Sequence, residues 1–246
     1  MNQIKLYNSV RDDIGYVQLV DHMGDDKTIV NAARVSFGIE KEILNERDKK
    51  LIKYLIEHKH TSTLEHNMVT FKFCVPMFVR SQHMRHRTWS YNEISRRYTD
   101  KDLEFYQPST FRTQHESNRQ ASNEADLINP TVAATFLDHY ATANEAIGLW
   151  TEYSLDFFDK LIEKGVCREQ ARMVLPQNLY TEYYGTVNLN NLLKFIDLRL
   201  HEGAQWEIQQ VAKACLQIAL DLWPTPVQHF IDSRYKDKTE SFWKIQ

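Results

Sequence analysis

The amino-acid sequence predicts an α+β fold: a helix-rich single domain over residues 1–246, with a small antiparallel or mixed sheet. Three observations predict it. Apolar residues recur at helical spacing in several long segments. Strand-type alternation is confined to two short stretches, residues 15–20 and 67–75. Glycine and proline are scarce, seven and six residues, too few for the many tight turns of an all-β sandwich. No repeat or linker-like composition divides the chain, and 42% hydrophobic with 12% aromatic residues can form one sizeable core.

The elements follow in chain order. Residues 15–20 (G-Y-V-Q-L-V) alternate as a strand. Residues 26–36 read as a helix, with Ile29, Val30, Ala33 and Val35 close to helical spacing. From Glu46 to His58, Leu51, Ile52, Leu55 and Ile56 form a clear helix face. Residues 60–63 break it as a polar loop. In 67–75, Val69, Phe71, Phe73 and Val75 alternate with Met68, Thr70, Lys72 and Cys74, and Pro76 closes the strand with its Phe-rich face inward. Residues 77–89 are expected to be helical, placing Gln82, Arg85, His86 and Trp89 along one face. Residues 111–126 are polar and aperiodic, so 110–129 reads as a mobile insert or lid. Helices are expected over 130–164, stopped by Gly165, and over 168–175, 189–200 and 204–222, the last ended by Pro224.

Composition narrows the function classes. Formal net charge is −3, which argues against a general nucleic-acid binder. No apolar run reaches the about 18 residues of a membrane span, and the N-terminal M-N-Q-I-K-L-Y-N-S has no apolar signal region. Cys74, Cys167 and Cys215 are odd in number, far apart and outside any C-x-x-C, so a disulfide framework is not expected. A soluble, cytoplasmic protein in a reducing compartment is expected. The cysteines fall on apolar or helical positions and read as buried, inert thiols.

Between Arg85 and Tyr98 the chain reads R-H-R-T-W-S-Y-N-E-I-S-R-R-Y. Such a cationic cluster on a mildly acidic chain needs a local reason. Guanidinium forks bind phosphate bidentately, Ser, Asn and Glu add neutral and acceptor contacts, and the aromatics offer faces to a planar ring. The set suits a nucleotide, a dinucleotide or a single nucleic-acid strand; the competing reading is a solvated charged helix face.

Single residues are weaker signals. Arg199 shares the stripe of Leu189, Leu192, Leu193, Ile196 and Leu200, where a charge must snorkel to solvent or meet a partner. Arg172 sits in Q-A-R-M-V-L-P and alone reads as a surface arginine. His58, His60, His66, His83 and His86 lack carboxylate or thiolate partners at recognised spacing, so no metal is expected. Ser95 has no G-x-S-x-G elbow and reads as a contact residue.

At this point the chain resembles a known family. R-H-R followed by seven residues and a serine (Arg85 to Ser95), within R-H-R-x-x-S-x-N-E-x-S-x-R-Y, is similar to the signature of flavin-dependent thymidylate synthases. D-x-M-G-x-D from Asp21, A-A-R-V-S-F from Ala32, H-x-x-x-x-E-H from His60 and F-x-x-x-x-P-x-F-V-R-x-Q from Phe71 agree. So do A-R-x-V-L-P-x-N-L-Y from Ala171, T-V-N at 186–188, L-R at 198–199 and A-Q-W-E-I-Q at 204–209. Two positions depart: Gly203 stands where the family often has histidine, with His201 two residues earlier, and Lys194 stands where a neutral side chain is usual.

The resemblance implies an α+β homotetramer with shared active sites that methylates dUMP at C5 to dTMP. Methylenetetrahydrofolate supplies the carbon, NADPH reduces bound FAD, and no cysteine nucleophile is used. It places Gln82, Arg85, Glu93, Ile94, Ser95, Arg96, Arg97 and Arg199 at dUMP, with Arg172 reaching the nucleotide from another subunit. It places His60, Ser62, Arg85, His86, Arg87, Glu93, Asn188, Asn190 and Lys194 at FAD, and gives Arg199 the catalytic role of stabilising charge on the pyrimidine. No Gly-rich dinucleotide motif is present, so side chains must hold the FAD. Three other readings compete: a single-strand or RNA binder using arginine and aromatic stacking, a pyrimidine C5 modifier with a different substrate or product, and a non-catalytic helical assembly protein.

Overall fold

A computed structural model describes residues 3–7, 12–95, 103–137 and 140–245. Its centre is an antiparallel sheet of β1 (Gln3–Lys5), β2 (Tyr16–Met23), β3 (Met68–Pro76), β9 (Tyr180–Asn188) and β4 (Ser90–Glu93), in that spatial order. β3 and β9 pair without a slip from Met68↔Asn188 to Pro76↔Tyr180. On one face of β3, Val69, Phe71, Phe73 and Val75 are buried as the alternation predicts. On the other, Thr70 bonds Thr186 at 2.9 Å and Lys72 pairs with Glu182 at 3.0 Å.

β9 is a strand that the periodicity does not reveal. Gly185 interrupts its buried series Tyr183, Val187, and a Cβ there would stand 2.9 Å from Phe73 Cε2 and 3.1 Å from Trp89 Cε3. The strand needs a glycine so that two rings can close over it.

The inner face of the sheet meets two C-terminal helices, α6 (Leu189–Arg199) and α7 (Trp206–Leu222). Leu189, Leu192, Leu193, Ile196 and Leu200 are all buried, as their spacing requires, and α7 buries Ile208, Val211, Ala212, Cys215 and Ile218 beside them. Pro224 both ends α7 and starts α8 (Pro224–Arg234), since proline lacks the N–H that a first helical turn does not use. Helices α1 (Asp26–Arg34) and α2 (Glu46–Glu57) carry capping boxes at Asp25 and Asn45. The 60–63 loop is part of a 3-10 turn, Thr61–His66.

Four segments differ from expectation. Helix α3 is only Met77–His83. Beyond it Arg85 N–H bonds Gln82 O at 3.3 Å and His86 N–H bonds His83 O at 3.0 Å, so the chain turns and enters β4 instead of continuing helically to residue 89. Trp89 is buried and stacks on Tyr91 with ring planes 4° apart, and this packing competes with helix. Within 110–129, β5 (Phe111–Gln114) and β6 (Ser122–Ile128) pair as an antiparallel hairpin. Helix α4 starts at Ala143 and runs to Glu163; before it β7 (Thr131–Val132) pairs with β8 (Ala141–Thr142). The Thr142–Glu145 capping box fixes that start, a T-x-x-E signal present in the sequence. Residues 168–175 fold as α5 (Arg168–Ala171) and a 3-10 turn, Arg172–Val174. A last turn of helix, α9, is Glu240–Trp243.

Candidate active site

The predicted residues gather in three places. The first is the turn after α3, against the end of α6. Arg199 Nε donates to His86 Nε2 at 3.0 Å, and an Nη2 hydrogen bond reaches Gln82 O at the same distance. So the charge on the apolar stripe has partners, one aromatic and one backbone. Burial pulls the Arg199 pKa down from its ordinary value. Burial first, and the Arg199 charge second, push His86 down to about 4. His86 is thus a neutral imidazole that accepts at Nε2, which puts its proton on Nδ1. Below it His83 is fully buried, with Nδ1 2.8 Å from Tyr183 Oη, and burial drives its pKa well down. The Tyr91 hydroxyl donates to His83 O at 2.9 Å and pins the turn. Arg85 and Arg87 lie exposed on the same turn.

The second place is a cleft of about 510 Å³ at the other end of α3, lined by Arg80, Glu93, Ile94, Arg172, Met173 and Thr181 among others. Glu93 is held by Arg80 and by the Thr181 hydroxyl, the latter at 2.8 Å. Arg172 is exposed and its Nε reaches the Glu169 carbonyl at 3.4 Å. Ser95 is half-buried beside this cleft's Ile94 in sequence. Arg96 and Arg97 lie outside the described residues.

The third place is where the 3-10 turn Thr61–His66 meets the start of α6. His60, Ser62 and Lys194 are exposed there. Asn188 caps α6 by accepting from Asn191 N–H at 2.9 Å, leaving its NH₂ to donate. Asn190 is buried and gives its NH₂ to Glu65 at 2.8 Å, leaving its carbonyl oxygen. At Gly203, the departing position, the backbone N–H donates to His201 Nδ1 at 3.0 Å.

Sequence reasoning gave no role to Arg80, Gln205 or Glu207, although all three are fixed positions of the motifs quoted above; that was the available signal. Among the described residues no group of three His, Cys, Asp or Glu side chains is placed to hold a metal, and no helix is long and apolar enough to cross a membrane. Of the cysteines, Cys74 and Cys215 are buried, and burial pushes the Cys74 thiol up to about 12. Cys167 is exposed, contrary to expectation. It precedes the first turn of α5, where its Sγ lies 3.8 Å from Gln170 Oε1.

Known proteins resemble this chain in sequence and in fold. The family model described as thymidylate synthase complementing protein matches residues 18–225. The crystal structure of the UMP/dUMP methylase PolB from Streptomyces cacaoi, bound with 5-Br dUMP, superposes with a TM-score of 0.73 at 30% identity, over 87% of this chain and 93% of that one. These define a class, the α+β enzymes of the thymidylate synthase complementing family. The flavin-dependent thymidylate synthase of Thermus thermophilus is 45% identical over 93% of this chain and 81% of its own. That of Thermosipho melanesiensis is 41% identical over 91% and 93%. The chain belongs to the flavin-dependent thymidylate synthase family.

Proposed function

We propose that this chain methylates dUMP at C5 to give dTMP, with methylenetetrahydrofolate as carbon donor and NADPH as reductant of bound FAD. The observation that carries the reading is Arg199, a half-buried guanidinium held by His86 and the Gln82 carbonyl. When C5 of a uracil attacks an electrophilic carbon, negative charge develops on the pyrimidine carbonyls. A fixed, partly desolvated guanidinium stabilises that charge more than solvent does. Neutral His86 accepts from Arg199 and so orients its plane without competing for charge.

The donor chemistry fits FAD. Exposed Arg85 and Arg87, with Ser62, His60, Lys194 and the NH₂ of Asn188, offer the donors a diphosphate and a flavin ring need. When bound, FAD supplies the hydride that completes the methyl group. Arg85, Glu93, Ile94, Ser95, Arg96, Arg97 and Gln82 hold the nucleotide in this reading.

The chain is proposed to act as a homotetramer, with Arg172 reaching a neighbouring chain's nucleotide. Around it Trp150, Tyr153 and Phe157 on α4 stay about half exposed, and Met173 is 76% exposed; such an apolar patch beside a cationic side chain is suited to a second copy.

The similarity to a UMP/dUMP methylase favours one alternative, methylation of UMP. The visible spectrum of the purified protein before and after NADPH tests the flavin. Product analysis with dUMP and UMP tests the substrate. A protein that takes up no flavin, or forms no C5-methylated nucleotide, overturns the proposal.

A further inference from the structure

The A-Q-W-E segment at the start of α7 lies outside the roles just given, yet it joins the β5–β6 hairpin to the Gln82 turn by an unbroken path of hydrogen bonds. Glu207 is buried. Its Oε1 accepts from Arg112 Nη2 at 2.5 Å and from the Tyr106 hydroxyl at 3.2 Å. Its Oε2 accepts from Gln205 Nε2 at 2.8 Å. Gln205 Oε1 in turn accepts from Gln82 Nε2. The Arg112 guanidinium also lies over the Trp206 ring, 4.9 Å from its centroid, which fixes it against the carboxylate.

The direction of this path is dictated by chemistry. A carboxylate paired with arginine has no proton to give. Gln205 must therefore turn its NH₂ toward Glu207 and its carbonyl toward Gln82. Gln82 must then give its own NH₂, and its Oε1, which carries no hydrogen bond among the described residues, stands as an acceptor. A free glutamine amide can present either end; this one is fixed with Oε1 as its acceptor, and only one of its two Nε2–H groups is spent on Gln205.

We infer that Glu207 and Gln205 are positioning residues that orient the Gln82 amide so that its Oε1 accepts a hydrogen bond from an N–H or O–H donor of the pyrimidine nucleotide. The inference rests on the nucleotide reading above. dUMP has two such donors, the base N3–H and the sugar 3′-hydroxyl, whereas its dianionic phosphate only accepts. A hydrogen bond accepted by Gln82 Oε1 is thereby a base or sugar contact.

The test is dUMP affinity by calorimetry on the FAD-loaded protein, for the wild type, Gln205→Met (same length, no hydrogen-bonding group) and Glu207→Gln (same shape, able to give or accept). Each is titrated with dUMP, N3-methyl-dUMP and the 3′-deoxy analogue. One committed hydrogen bond corresponds to about 3- to 10-fold in affinity. Gln205→Met should bind dUMP about that much more weakly, keep its flavin absorbance, and become insensitive to removal of one of the two ligand donors. That donor identifies the contact, because the two losses are then not additive. Glu207→Gln should show the same pattern, weaker. Wild-type dUMP affinity in Gln205→Met, or equal losses for all three ligands, overturns the inference alone. Failure of the wild type to bind dUMP overturns the reading of the site, and the inference with it. If Gln205→Met does not retain flavin, the Glu207→Gln titrations decide by the same criteria.

Discussion

Arg199→Lys separates the charge at the site from the shape that carries it. Arg199 spends two N–H groups on fixed partners, His86 Nε2 and Gln82 O, each at 3.0 Å, and its planar fork leaves further N–H groups for a substrate. Lysine keeps the positive charge but offers three donors from a single atom on a flexible stem. Held by His86 and the carbonyl, an ammonium has at most one donor left and no plane to align it. The loss expected is that of one donor aimed at developing negative charge, about 10²- to 10³-fold in rate, or roughly 2.7–4 kcal/mol of barrier. The assay is single-turnover dTMP formation on the FAD-loaded variant, followed by quenching and chromatography, with NADPH reduction of the flavin measured separately. Flavin content and its reduction should hold while dTMP formation collapses. Methylation at the wild-type rate would show that Arg199 only braces the turn after α3 and that charge is stabilised elsewhere.

Other expectations follow from the same geometry. His86 should stay neutral through the physiological range. Its folded pKa, about 4, lies below the ordinary histidine value of about 6.5, so unfolded chain binds the extra proton first, and this group's contribution to stability is lost as pH falls from about 6.5 through about 4. Nitrogen-15 spectra should show its proton on Nδ1 at pH 7; a protonated imidazolium there would refute the assignment. Gly185→Ala should cost about 1–3 kcal/mol by overpacking, since its Cβ would meet Phe73 and Trp89; an unchanged urea midpoint would mean the rings move aside freely. Mixing Arg172→Ala with Ser95→Ala protein should restore some activity if Arg172 serves a neighbouring chain, and no recovery in proven mixed oligomers would assign Arg172 to the cleft of its own chain.

The sequence displayed those parts of the fold whose burial is continuous. The leucine stripe of α6 and the Val-Phe-Phe-Val face of β3 are read directly, because each apolar side chain sits where the period puts it. β9 was hidden because Gly185 removes a side chain from the middle of its pattern. β4 was hidden because an edge strand of four residues, S-Y-N-E, shows a single aromatic. The helical reading of 77–89 failed for a tertiary reason: Trp89 gains a buried place among Phe71, Phe73 and Phe195 by leaving the helix. At the site, the stripe announced that Arg199 needed a partner. It could not name His86, 113 residues away, nor the Gln82 carbonyl. Glu207 was harder still, since its partner Arg112 lies 95 residues earlier in a segment with no periodic signal.

The order of strands in the sheet also sets a timetable. β3 and β4 are separated in space by β9, which is made long after both: from Glu93 to Asn188 the ribosome adds 95 residues, a wait of about 5–20 s at ordinary elongation rates. During that interval β2 and β3 can pair, but β4 has no neighbour, and the arginine-rich turn between α3 and β4 has neither sheet nor α6 to lean on. Arg85 and Arg87, exposed in the finished molecule, carry charge that favours hydration of the waiting segment until β9 arrives between its two neighbours.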